Sequence, residues 1–383
     1  MRRLCLMLAL LLLPIGCMPS QNLDDYAYVL NIGAERGTTM PYLLTFLVSA
    51  PGEGEEQTGV RNVVISAEAR SLSEAVRTLN AAYSSRLSFS RASLLLLGED
   101  LVQDGAQTPL LDLSFGAADL WPNLRVAVCE GSVKETFEGW ISQSDPSLRK
   151  IKTSVGELMT RAGMTSDIGY STYLECANDE RIDALIAYAG RTEWTLREDS
   201  VGNETYPTLG GALLVSSTLA SSTAGSAVFD GDRMVGVLDG LHTMAVLMVT
   251  DAFQSGELIC TAQDGRMIEV KLRRVKRPRM SVENGQATAE LFLEADVISP
   301  ASDPIAEEAL TALLETELAS MLREVYDALR GMNSDAMGFG REAAKRFSTV
   351  EAWEAFDWKA EYRQMPCTFT AHVRLADARG GER

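Results

Sequence analysis

Apolar and polar positions along the chain recur on two periods, and the switches between them predict a mixture of short strands and amphipathic helices. Residues 22–33 lead into a strand, 35–37 make a turn, and 42–48 return as a second apolar strand. A loop rich in glycine and glutamate fills 51–59, ahead of a short strand over 62–66. Ser71-Leu-Ser-Glu74 predicts a capping box, in which the serine hydroxyl and the glutamate satisfy orphan amides at a helix start. Leu72, Ala75, Val76, Leu79, Ala82 and Tyr83 then recur at helical spacing. Wholly apolar strands are expected over 93–97 and 124–129, with a short helix over 132–140. Residues 145–198 read as helical, most clearly over 179–188.

A polar stretch, 197–205, reads as a seam, so the expected organisation is 1–16, 17–200 and 201–383. Beyond it, 209–215 reads as a strand and the serine-rich 216–226 as a flexible loop. Asp230-Gly231 predicts a tight turn inside a hairpin over 228–236. Two long strands, 267–280 and 287–298, flank Asn284-Gly285. Ile268, Val270 and Leu272 alternate on one and Ala289, Leu291, Leu293 and Ala295 on the other, so one face of the pair is buried. The longest helix follows, with Asp303 as its expected cap, Pro304 in its first turn and Glu307 and Glu308 at its positive end. Leu310, Leu314, Leu318, Met321, Leu322, Val325 and Leu329 give it a continuous apolar stripe, and Gly331 ends it. A loop over 332–340, a shorter helix, the aromatic segment Trp353, Phe356 and Trp358, and a strand over 368–375 complete the chain. The predicted fold class is α+β: mixed sheets with helices, and a long C-terminal helix packed on an antiparallel sheet.

The N-terminus predicts where this protein works. Arg2 and Arg3 precede an apolar run of a dozen residues, 4–15, which ends at Gly16-Cys17. That is the anatomy of a secretory signal, and the run is shorter than the roughly 20 apolar residues that span a bilayer. A cysteine directly after a small residue predicts a lipobox with Cys17 as the lipidated first residue of the mature chain, although Pro14 stands where a leucine is usual. Two or more acyl chains on Cys17 would hold a soluble body stably on a membrane.

The 383 residues are 46% hydrophobic and 23% charged, an ordinary globular profile, with a formal charge of −18 that becomes −20 once Arg2 and Arg3 leave. So acidic a body argues against nucleic acid as a partner. Cys129, Cys176, Cys260 and Cys367 form no CxxC; burial as small hydrophobes is the first reading, and a disulfide stays open. The two histidines, His242 and His372, have no companion at metal-ligand spacing, and His372 falls on the polar face of the last strand. Nucleophile elbows, phosphate loops and dinucleotide fingerprints are absent from the sequence. The pairs Asp24-Asp25 and Glu307-Glu308 read as solvated or dipole-complementing charges. One stretch is anomalous: Lys271-Leu-Arg-Arg-Val-Lys-Arg-Pro-Arg279 is basic in an acidic chain. Cross-strand pairing with carboxylates is the simpler reading, and a docking strip for an acidic partner or lipid headgroups is the sharper one.

The order of these features resembles the Ger(x)C family of spore germination lipoproteins, the C subunits of nutrient germinant receptors. The likeness rests on the Cys17 lipobox followed by Asn22-Leu-Asp-Asp-Tyr-Ala-Tyr-Val-Leu-Asn-Ile-Gly33, on Ser71-Leu-Ser-Glu-Ala75, and on Arg86-Leu-Ser-Phe leading to Leu94-Leu-Leu-Leu-Gly-Glu99. It continues through Tyr206-Pro-Thr-Leu-Gly-Gly-Ala212, Phe229-Asp-Gly-Asp-Arg-Met-Val-Gly-Val-Leu238, Ser334-Asp-Ala-Met-Gly-Phe-Gly340, Trp353 and Trp358, and Arg379-Gly380. Met18-Pro19 stand where the family usually has Trp-Asp, Arg91 where histidine is common, and His242 where glutamate is common. The resemblance implies a subunit without catalytic residues, cofactor or metal, lipid-anchored on the outer face of the spore inner membrane. Its implied partners are an A subunit and a polytopic B subunit, and direct contact with a nutrient stays open. An anchored solute-binding lipoprotein feeding a transporter is the alternative; its two similar α/β lobes are not what this order of elements suggests.

Overall fold

A computed structural model of the chain describes residues 26–51, 60–82, 85–107, 124–143, 163–191, 200–201, 208–209, 212–213, 221–262, 264–299 and 306–376. The expected signal segment, Cys17, Asp24-Asp25, Asp303 and Pro304 lie outside these residues.

The described residues open with β1 (Tyr26–Arg36), β2 (Tyr42–Pro51) and β3 (Val60–Ala69), an antiparallel run. Helix α1 (Leu72–Ala82) leads to β4 (Arg86–Ser88) and β5 (Leu94–Gly98), both parallel to β1. Next come α2 (Glu99–Gln103), β6 (Arg125–Cys129), α3 (Val133–Gln143), α4 (Tyr170–Ala177) and β7 (Leu185–Arg191). Short strands β8 (Ser200–Val201), β9 (Thr208–Leu209) and β10 (Ala212–Leu213) precede the hairpin β11 (Ser221–Asp230) and β12 (Arg233–Leu238). Among the described residues the first sheet runs β3-β2-β1-β5-β6-β7-β11-β12-β8, with β4 beside β1. The hairpin that follows the expected boundary at 200/201 therefore sits in the same sheet as the first half.

The central strands read as unbroken apolar runs because both faces are covered. One face carries α1, α2 and α4 through Leu72, Ala75, Leu79, Leu101, Val102 and Tyr173. The other is covered by Val133 and Phe137 of α3, against Leu47, Leu94, Leu96 and Ala127. A bulge between Val29 and Asn31 shifts the inward set of β1 from Ala27 and Val29 to Ile32 and Ala34. The same covering explains a correction: the helix expected over 179–188 is instead a turn followed by β7. Residues Ala184 to Ala189 are all buried, inserted between β6 and β11. A short apolar run does not distinguish a buried strand from a helix, and sheet pairing decides it. Pairing with β7 likewise draws Ser221–Ser226, expected as loop, into β11.

Helix α5 (Gly240–Val249) is apolar on every side and buried along its whole length. Such a helix belongs inside a protein, and this one lies between the two sheets, against β11, β12 and β16 (Gln286–Ser299). The second sheet adds β13 (Ser255–Thr261), β14 (Met267–Arg274), β15 (Arg279–Glu283) and β17 (Cys367–Leu375). Asn284 (φ 52°) and Gly285 (φ 73°) make the tight turn into β16. The first of the two long strands is broken in two. The Val275 N–H still reaches the Phe292 carbonyl at 3.0 Å, and pairing resumes at Arg279 opposite Glu290. Residues 276–278 bulge out between them, where Pro278 has no N–H to give the ladder. Strand β17 joins β16 in parallel, so the sheet is antiparallel except at that edge.

Helix α6 (Glu307–Gly331) packs on this sheet with Leu310, Leu314, Leu318, Leu322, Val325, Tyr326 and Leu329 buried. Each such side chain contributes about 1.5–3 kcal/mol over leaving it in water. Its cap position is Ala306, which offers no side-chain bond; Glu307 and Glu308 fill the first turn. Three short helices, α7 (Phe339–Ala344), α8 (Val350–Glu354) and α9 (Trp358–Tyr362), then curve back to β17. Among the described residues no helix is long and apolar enough to cross a membrane.

Candidate functional site at the junction of the two sheets

The densest polar chemistry in the described residues lies where the β11–β12 hairpin meets the segment 332–359. Asp335 is fully buried. Its Oδ1 accepts the N–H groups of Gly338 (3.0 Å) and Phe339 (2.9 Å), and its Oδ2 accepts the Gly340 N–H (2.6 Å) and the Trp358 indole N–H (3.1 Å). One side chain thus folds the 334–340 block onto itself and pins the aromatic segment to it. Burial pushes the Asp335 carboxyl up to about 7, against the backbone donors, which favour its ionised form. Gly340 permits the close approach: a Cβ there would stand 2.7 Å from both the Arg181 carbonyl oxygen and Trp358 Nε1.

Beside it, Lys359 gathers three acceptors. Its Nζ donates to Asp183 Oδ2 (2.5 Å), Asp230 Oδ1 (2.7 Å) and the Asn333 carbonyl (2.9 Å). Asp183, 3% exposed, also accepts the N–H groups of Gly231 (2.8 Å) and Asp335 (2.5 Å). Asn333 Nδ2 donates to Asp230 Oδ2 at 2.8 Å. Burial works against the charge on Lys359, but the two aspartates outweigh it and raise its pKa above the ordinary lysine value. The cluster ties the approach to β7, the hairpin turn, the loop after α6 and α9 into one latch. Its charged groups are satisfied by one another and by backbone N–H groups, which suits clamping rather than chemistry, while Asn333 Oδ1 is buried without a hydrogen-bond partner among the described residues.

An open groove runs alongside. Its outer lobe, about 680 Å³, is lined by Asn178, Asp179, Glu180 and Arg181 on one side and by Phe347, Trp353 and Glu354 on the other. An adjoining lobe of about 580 Å³ reaches Asp183, Asp230 and Lys359. Phe347, Trp353 and Phe356 form one half-buried aromatic cluster, with centroids 5.1–6.0 Å apart.

The residues singled out in the sequence fall elsewhere. Cys17 lies outside the described residues. His242 is buried in α5: its Nδ1 is 2.8 Å from Asp239 Oδ2, and its Nε2 is 3.8 Å from Glu324 Oε1. Folding therefore adds Glu324 to the local Asp239, and it brings Glu317 and Cys260 to the same cavity of about 150 Å³. Among the described residues no group of three or more His, Cys, Asp and Glu is placed to hold a metal ion. His372 is exposed on β17 and stacks on Phe292 at 5.1 Å. Cys129, Cys176 and Cys260 are buried free thiols, and Cys367 is a half-buried one.

The basic run pairs across and beyond the sheet. Lys271 sits opposite Asp296 and Arg273 opposite Glu294; Arg279 is 3.8 Å from Glu290. Arg274 and Arg277 both meet Asp251, while Lys276 stands 3.5 Å over the Phe292 ring. The capping box forms by half. The Ser71 hydroxyl accepts the Glu74 N–H at 3.2 Å, but the Glu74 carboxylate turns to the Arg70 N–H and guanidinium.

Comparison with known proteins places this architecture. A family model described as "Spore germination protein N-terminal domain" matches residues 19–190, and one described as "Spore germination B3/ GerAC like, C-terminal" matches 224–378. The chain belongs to the Ger(x)C spore germination family. A solved structure, "Crystal Structure of the GerBC protein", has the same fold with a TM-score of 0.51 at 14% identity, covering 90% of this chain and 97% of that one. A search of curated proteins gives no match. Within this Ger(x)C fold, Asp230 and Asp335 belong to sequence blocks that signal the family. Asp183 and Lys359, which complete the latch, carried no sequence signal: they stand 176 residues apart and meet only through the fold.

Proposed function

We propose that the chain is the lipid-anchored, non-catalytic subunit of a nutrient germinant receptor, required for nutrient-triggered spore germination. The observation that carries this is the pair of family domains matched in order, 19–190 and 224–378, behind a signal segment that ends at Cys17. In this reading Cys17 bears the lipid and the folded body stands on the outer face of the spore inner membrane. The A and B subunits are its partners. The body contributes shape and contact surface: its most polar cluster is a latch of paired charges, and burial raises its described cysteine thiols, Cys129 and Cys367 up to about 12.

The test is dipicolinate release from spores carrying Cys17→Ala, set beside parental and deletion spores over a panel of amino acids and sugars. Loss of response to a defined nutrient in both altered strains, with non-nutrient germination intact, is the expected result. Normal responses to every nutrient in the deletion strain, including one that also lacks sister receptors, would refute the receptor role. A deletion phenotype not reproduced by Cys17→Ala would refute the anchor.

A further inference from the structure

We infer that the groove beside the Lys359 latch is a docking site for a basic segment of a partner protein, one that lays lysine or arginine side chains against Trp353, Glu180 and Glu354. The inference goes beyond the receptor reading and does not depend on it. The groove has the anatomy of an interface, an aromatic core with a charged rim. Phe347, Trp353 and Phe356 supply the half-buried apolar surface, and Val350, 66% exposed, stands on its edge.

Charge decides the occupant. The two lobes are lined by Asp179, Glu180, Asp183, Asp230, Glu354 and Asp357, against Arg181 and Lys359. Both cations are already committed. Arg181 is held in two bonds by Asp179, at 2.7 and 2.9 Å, and Lys359 by its three acceptors. Asp357 caps α9 through the Ala360 N–H. Glu180 and Glu354, both exposed, have no hydrogen-bond or ion-pair partner among the described residues. Both line both lobes beside the aromatic residues, an arrangement that favours a cation twice, by Coulomb attraction and by the ring quadrupole. The cluster already takes such a contact on its flank, where Arg346 lies 5.8 Å from the centroids of Phe347 and Phe356. An acidic or phosphorylated partner would meet uncompensated carboxylates here and be repelled.

The experiment places benzoylphenylalanine at Val350 in the full-length chain, irradiates spores, and maps the cross-linked peptide by mass spectrometry. The expected product joins position 350 to a protein segment with at least two lysines or arginines near the joint. Its yield should fall by tenfold or more in the Glu180→Lys/Glu354→Lys background and persist with Glu354→Asp. Both glutamates are exposed, so an unchanged melting temperature of the reversed variant checks that folding is intact. A product on a neutral or acidic segment, on lipid or on a second copy of this chain would overturn the inference. So would no product at all, or a yield indifferent to charge reversal. A basic segment belonging to a protein other than a receptor subunit would uphold the groove and count against the receptor reading alone.

Discussion

Replacing Lys359 with methionine keeps the aliphatic stem and removes the charge that holds four parts of the chain together. The Asp183 side chain it leaves behind is 1% exposed, whereas Asp230 is 32% exposed and Lys359 itself 20%. Breaking a buried ion pair from one side costs about 3–5 kcal/mol, because the remaining charge keeps its desolvation penalty. Asp183 retains two backbone N–H donors and Asp230 can turn to water, so the low end applies, about 3 kcal/mol. Against a total stability of about 5–15 kcal/mol this is a large fraction. At about 2–4 °C per kcal/mol for domains of this size, the melting temperature should drop by roughly 6–12 °C. Urea unfolding followed by circular dichroism measures it, with Asp183→Asn and the double variant completing the cycle. The double variant should lose less than the sum of the singles, because the stranded charge is gone. The pairing is fully present below the ordinary lysine pKa and is lost only as pH rises through the raised folded-state value. A Lys359→Met protein within about 0.5 kcal/mol of the parent, at an unchanged denaturant slope, would refute the latch.

Two further outcomes follow from the same geometry. Gly340→Ala forces a methyl against the Arg181 backbone and the Trp358 indole, each 2.7 Å away, and should cost about 1–3 kcal/mol in thermal melting; equal stability would mean the loop relaxes freely. Burial opposes a charge on His242, but Asp239 and Glu324 overcome it and raise its pKa above 6.5. Its stabilising charge is therefore present below 6.5 and lost as pH rises through the raised folded value. Unfolding free energy should fall across that window more steeply in the parent than in His242→Gln, and parallel profiles would show that the histidine stays neutral.

Much of this protein was written in local pattern. The stripe of α6, the alternation of β14, β16 and β17, and the turns at Asp230-Gly231 and Asn284-Gly285 each depend on neighbours in sequence, and each is found in the fold. The composition and the N-terminal segment set expectations of compartment that belong to the sequence alone. Long-range pairing resolves what local pattern leaves degenerate. The run Ala184 to Ala189 is a strand because β6 and β11 close on both of its edges. The hairpin after residue 220 joins the first sheet, since β7 offers it an edge. The latch is the extreme case. Asp183 and Lys359 are unremarkable charges in an acidic chain until folding removes water from around them. Only then does each need a partner, and only the fold brings those partners within 3 Å.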